Sequence, residues 1–205
     1  MTIDPAVLPE RRQLRWHLVH DRLYDAACEL FVESGYLGTS VDEIAERAGV
    51  SRKTAFNHYP RKRDFINEWG SRRRHHALHA LPEDAVTDPR LDVVLRRYFA
   101  ELAAINAEER ALTISMSFGW RESGGPFDSD PHELIKVFQD FVNDAIIREE
   151  IPASVDAART GVILYSSYFG LLYDWCDGTD TVPPFDLDRA FAQLLDIVLG
   201  GLRTI

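Results

Sequence analysis

The sequence predicts an all-α protein, and three features carry that expectation. Apolar residues recur at spacings of three and four from Leu14 to Leu202, the period of helices with a buried stripe. No alternating apolar and polar run is bounded by hairpin turns. Breaks rich in Gly, Pro, Ser or Asp fall at 35–39, 49–51, 59–60, 81–89, 123–131, 151–154 and 177–184, and this punctuation delimits about nine helices.

Composition bounds the rest. At 205 residues and 45% hydrophobic content, the chain can fill the core of one large domain or two small ones. Cys28 and Cys176 sit inside apolar helical patterns with no metal-ligand spacing and read as reduced core residues. The start, MTIDPAVLPE, lacks a basic segment followed by an apolar one. The longest apolar region, GVILYSSYFGLLYDWC, is interrupted by glycines, serines and an aspartate. A cytoplasmic chain with no membrane partner is expected.

Charge is unevenly spread. The formal net charge is −10, yet residues 1–80 hold 13 Lys and Arg against 11 Asp and Glu, while residues 81–205 hold 10 against 22. Within 47–74 there are nine basic residues and two acidic ones. A basic segment beside an acidic body points to a polyanion met by one face.

Taken in order, residues 1–16 read as a flexible basic arm and the start of the first helix, with Pro5 and Pro9 ahead of Arg11, Arg12 and Arg15. Such an arm is able to enter a minor groove. Ser40 and Glu43 fit a capping box that opens a helix, lined by Val41, Ile44, Ala45 and Ala48. Gly49 ends it by taking the left-handed conformation. Ser51 caps the next helix, which runs to about Tyr59 before Pro60 turns the chain away from helix. Two short helices joined by a glycine turn, the second rich in Arg, Lys, Thr, Asn and His, form a helix-turn-helix over 40–59, whose second helix fits the major groove.

The residues carrying this motif resemble the DNA-binding domain of TetR-type transcriptional regulators. The likeness rests on Leu23, Ala26, Ala27, Leu30, Phe31, Gly35, Tyr36, Thr39, Ser40, Val41, Ile44, Ala45, the run from Ala48 to Ser51, Thr54, His58, Tyr59, Lys62 and Phe65. It covers 17–70 and implies a three-helix DNA-binding domain at 17–77, with a larger helical ligand-binding and dimerisation domain at 78–205. By position it places Arg52 and Lys53 at base edges and Thr54, Asn57, His58 and Lys62 at phosphates, with Thr39 and Ser40 opening the helix that abuts the backbone. Phe56 stands where the family usually has Tyr; it loses a phenolic hydrogen bond but can press on a thymine methyl. Asn57 can alternatively bond adenine, and Tyr59 is either a contact or a core residue. Arg72, Arg73 and Arg74 are expected on a solvated helix face.

Beyond the motif, helices are expected at 61–80, 88–109, 110–120, 131–150, 154–176 and 186–203. The last two carry apolar residues on more than one face and must be buried on more than one. The resemblance implies that they form a four-helix homodimer interface, with Gly161 and Gly170 permitting close approach. Trp69, Tyr98, Leu102, Phe118, Trp120, Phe138, Phe141, Tyr165 and Phe169 are candidates to wall a cavity for a small apolar or aromatic effector. His75, His76 and His79 lack a fourth ligand, so no metal site is expected, nor any cofactor.

The expected function is therefore a homodimeric DNA-binding regulator, by family a repressor released by a small molecule, acting on a near-palindromic operator in double-stranded DNA. The alternative is a helical ligand- or cofactor-binding protein or enzyme without DNA function. Glu108, Glu109, Glu149 and Glu150 offer it carboxylates, but no Glu-x-x-His pair, nucleophile motif or phosphate loop accompanies them. A third is a ligand-binding adaptor that has lost DNA contact, suggested by Phe56.

Overall fold

The computed structural model describes residues 10–81, 90–125, 132–177 and 182–202, and among these it contains nine helices and no strand. They are α1 Glu10–Gly38, α2 Val41–Arg47, α3 Arg52–His58, α4 Arg63–His79, α5 Leu91–Glu108, α6 Arg110–Glu122, α7 Glu133–Ile147, α8 Ala157–Cys176 and α9 Leu187–Leu202. The expected boundaries fall within three residues of these from α4 onward. Within the stretch read as arm and start of the first helix, 1–16, helix is formed from Glu10, and residues 1–9 lie outside those described.

Contacts group the chain into two compact units. The first comprises 10–71 with 114–123, and the second 72–113 with the described part of 124–205.

In the first unit, α1 supplies Leu23, Ala27 and Phe31 to a core completed by Ile44, Ala55, Phe65, Ile66, Trp69 and Met116, each no more than 2% exposed. Helix α1 bends at Gly35, whose φ of 73° suits a residue without a Cβ. Tyr36, just beyond, lies flat against the α6 backbone. A Cβ built on Gly119 would stand 2.4 Å from the ring. Ser115 of α6 donates to the Phe31 carbonyl at 2.8 Å.

In the second unit, Phe99 of α5 stacks on Phe138 of α7 at 5.1 Å and meets Phe191 of α9 edge-on at 5.2 Å; Tyr168 of α8 stacks on Phe191. Gly161 has a different role from the one expected. Its added Cβ would lie 2.9 Å from the Ile135 carbonyl, so it closes α8 onto α7 of the same chain, while Gly170 is open.

Arg73 and Arg74 correct the expectation of a solvated face, being 4% and 9% exposed. Arg73 donates to Glu109 at 2.6 Å and to Asn106 at 3.3 Å, and Asn106 in turn donates to the Tyr168 hydroxyl. Arg74 pairs with Glu133. A buried guanidinium is tolerable only when it is paired and bonded in this way, and a count of charges along the chain does not reveal such partners.

Candidate nucleic-acid interface

The α2–α3 unit is fixed at each joint by bonds the sequence specifies. Ser40 accepts from the Glu43 amide at 3.2 Å while Glu43 accepts from the Ser40 amide at 2.8 Å, completing the capping box. The hydrogen bond from the Ser40 side chain holds the Glu43 carboxyl below its usual range. The turn carries Gly49 at φ 64°, and Val50 donates back to the Ala45 carbonyl at 2.9 Å. Ser51 then caps α3 through the Thr54 amide at 3.1 Å, and the Thr54 hydroxyl bonds Ser51 rather than standing free.

Two side chains from α1 and α2 brace this turn, and sequence reasoning did not single them out. Arg22 donates to the Ala48 carbonyl at the end of α2, where a cation is favourable. Arg47 bonds Glu33 at 2.8 Å and Glu29 at 3.1 Å, tying α2 to α1. The signal was present: Glu29 and Glu33 share one helical face, four residues apart.

Helix α3 is divided into two faces. Arg52, Lys53, Phe56 and Asn57 are exposed, whereas Ala55, His58 and the C-cap Tyr59 are buried. Arg52 lies 71% exposed, 3.0 Å from Asp42 and over the Phe56 ring. The outward group thus joins two cations, an apolar ring edge and an amide, the side chains that meet phosphates, thymine methyls and base edges.

The other expected contact residues sit differently. Thr39 is 3% exposed and donates its hydroxyl to the Gly35 carbonyl at 2.9 Å and the Leu30 carbonyl at 3.2 Å. Lys62 is half-buried; its ammonium donates to the Tyr36 and Thr39 carbonyls at 2.6 and 3.0 Å and rests 4.2 Å from the Tyr36 ring centroid. Burial moves that ammonium below its usual pKa. His58 and Tyr59 face inward, stacked on rings of α1 and α4. The helical period explains this placement: 55, 58 and 59 share the inner side of a helix whose outer side is 52, 53, 56 and 57.

The nine expected ligand residues fall into two groups. Tyr98, Leu102, Phe138, Phe141, Tyr165 and Phe169 belong to the second unit, with Tyr98 edge-on to Phe138 and Phe141 at 5.9 and 5.6 Å. Trp69, Phe118 and Trp120 belong to the first; both tryptophans are buried and Phe118 is 45% exposed. A groove of about 380 Å³ in the second unit, between α5 and α9, is lined by Val93, Arg96, Arg97, Phe99, Phe191 and Leu195 among others, and by none of the nine. His75, His76 and His79 are all exposed on α4.

Residues 23–69 match the sequence profile of the bacterial regulatory proteins of the tetR family. A stretch of 91 residues is 36% identical to MftR of Mycobacterium tuberculosis, named for a proposed role as mycofactocin biosynthesis transcriptional regulator. That stretch is 44% of this chain and 43% of the relative, so less than half of the relative's length is matched. Among solved structures, FadR of Thermus thermophilus, a TetR family transcriptional repressor in complex with lauroyl-CoA, superposes with a TM-score of 0.67 at 26% identity. The superposition covers 89% of this chain and 94% of that one. FadR of Bacillus subtilis, in complex with stearoyl-CoA, shares the fold at a TM-score of 0.66 and 18% identity, over 88% and 98% of the two chains.

Proposed function

Because the chain belongs to the TetR family of bacterial regulatory proteins, we propose that it is a homodimeric transcriptional repressor that binds a near-palindromic operator through two copies of α3. The observation that carries this is the two-faced α3, which leaves Arg52, Lys53, Phe56 and Asn57 to the outside and buries Ala55 and His58. Arg52 and Lys53 read base edges or neutralise phosphates, Phe56 presses on a thymine methyl, and Asn57 bonds a base edge or phosphate. Ser40 and Thr54 shape the two helix starts. Thr39, His58, Tyr59 and Lys62 act from behind by holding the surface in place.

One copy of α3 holds too few base-reading side chains to choose a genomic site, so a twofold dimer belongs to the proposal. The surface suited to it lies on α8 and α9, where Val162, Ile163 and Ile197 are 38%, 49% and 76% exposed. The effector is a small, largely apolar molecule. The aromatic interior of the second unit suits it, and the FadR proteins are seen with acyl-CoA thioesters. Occupancy releases the operator to the extent that it favours one arrangement of the dimer.

Two of the four carboxylates of the enzyme alternative have structural duty: Glu109 pairs with Arg73, and Glu150 accepts from the Leu91 amide at the start of α5 at 2.9 Å. Selection of duplexes from a random pool by the full-length chain tests the proposal. Enrichment of an inverted repeat is expected. Recovery of no sequence preference, with and without acyl-CoA present, would refute it.

A further inference from the structure

Trp16 and His20 of α1 are, we infer, positioning residues for α3: they clamp its last turn through His58 and Tyr59 in a stack that holds while His58 is uncharged. The inference rests on α3 being the DNA-reading helix. At seven residues, α3 is too short to keep its shape or place without packing. What packs it is a continuous run of rings. Trp16 stacks on His58 at 4.7 Å and on His20 at 4.6 Å, His20 stacks on Tyr59 at 4.3 Å, and Tyr59 stacks on Phe65 at 3.9 Å. The Tyr59 hydroxyl and His20 Nε2 form a hydrogen bond of 2.8 Å.

Both Nδ1 atoms, of His20 and of His58, are buried without a hydrogen-bond partner. A proton added to His58 would therefore meet no acceptor at that nitrogen, and its charge would sit 5.6 Å from the His20 ring. The titratable groups facing the stack are Glu68 of α4, 3.8 Å from His20 Nε2, the Tyr59 hydroxyl, and His17, edge-on to Trp16 at 5.2 Å. Burial first, and the His20 ring second, hold His58 down to about 4.

The sign of the pH effect separates this role from direct DNA contact. Released from the stack, His58 regains its ordinary value of 6.5 and takes up a proton below it. The clamp is thus fully effective above that value and weakens as pH falls toward 4. A His58 that touched phosphate would do the reverse, since its protonation adds a cation beside an anion.

The test uses the full-length chain, its His58→Gln and Trp16→Leu variants, and a random-sequence DNA duplex at low salt, together with amide exchange of α3 in the same buffers. After correction for intrinsic exchange, α3 amides of the unaltered protein should exchange roughly twentyfold faster at pH 5 than at pH 7, the size set by a group held near 4 and released at 6.5. His58→Gln should flatten that slope even if it loosens α3 at every pH, and Trp16→Leu, which uncovers the His58 ring, should shrink it. Duplex affinity of the unaltered protein should fall relative to His58→Gln on acidification. A relative gain, or α3 exchange with no pH slope beyond that of His58→Gln, overturns the inference. Absence of duplex binding at any pH would count against the DNA-binding function, while the exchange measurement would still decide the clamp.

Discussion

Substituting Gly119 by Ala tests how the first unit is held together. The added Cβ would lie 2.4, 2.5 and 2.7 Å from three ring carbons of Tyr36. Ordinary carbon contacts stand at about 3.5–4.0 Å, so the ring must retreat by roughly 1 Å. It has little room. Tyr36 is 5% exposed, packs on Phe31 at 5.2 Å, carries the Lys62 ammonium over its ring, and bonds Ser123 at 3.3 Å. Overpacking of this kind costs about 1–3 kcal/mol, which for a chain of this size lowers Tm by roughly 2–10 °C. The assay is thermal unfolding of four proteins: the unaltered chain, Gly119→Ala, Tyr36→Ala and the double variant. In the Tyr36→Ala background the second change should cost nothing further, since the ring it strikes is gone. Because Lys62 donates to the Tyr36 and Thr39 carbonyls, Gly119→Ala should also weaken duplex binding. An unchanged melting temperature for Gly119→Ala, or an equal loss in both backgrounds, would refute the reasoning.

Two further outcomes are expected. Ile197→Lys places a charge on an exposed apolar site of α9 and should convert a dimer to a monomer in light scattering, with loss of the complex on an inverted repeat; a dimer that persists would move the interface elsewhere. Arg73→Ala leaves Asn106 and Thr113 facing a hole at a site 4% exposed and should cost about 3 kcal/mol in denaturant unfolding; a loss within the error of the fit would show that this network is dispensable.

Much of the fold was legible because the chain punctuates itself. The capping pair Ser40 and Glu43, the stop at Gly49 and the cap at Ser51 are local chemistry, and each forms the bonds its residue types predict. Part of the outward face of α3 was legible too, since Arg52, Lys53, Phe56 and Asn57 were expected to face outward and are exposed. What the sequence hid depends on partners distant along the chain. His58 and Tyr59 are polar enough to pass for contacts until Trp16 and His20 cover them. Arg73 looks like surface until Asn106 and Glu109 are brought to it across 33 and 36 residues. Gly161 looks suited to a meeting of two chains until Ile135 of the same chain occupies the space.

The most direct test of the account is the salt dependence of binding to a selected duplex, measured for the unaltered chain and for Arg52→Ala with Lys53→Ala. Both side chains are exposed, so their loss leaves the fold intact. Each phosphate contact removed should lower the slope of log affinity against log salt by about 0.9, and each base contact removed should cost about 1–3 kcal/mol of discrimination. A double variant with a shallower slope, weaker binding or relaxed sequence preference, and unchanged melting, is the predicted result. A double variant that binds the duplex with the same affinity, salt slope and sequence preference as the unaltered chain would contradict the claim that α3 reads DNA.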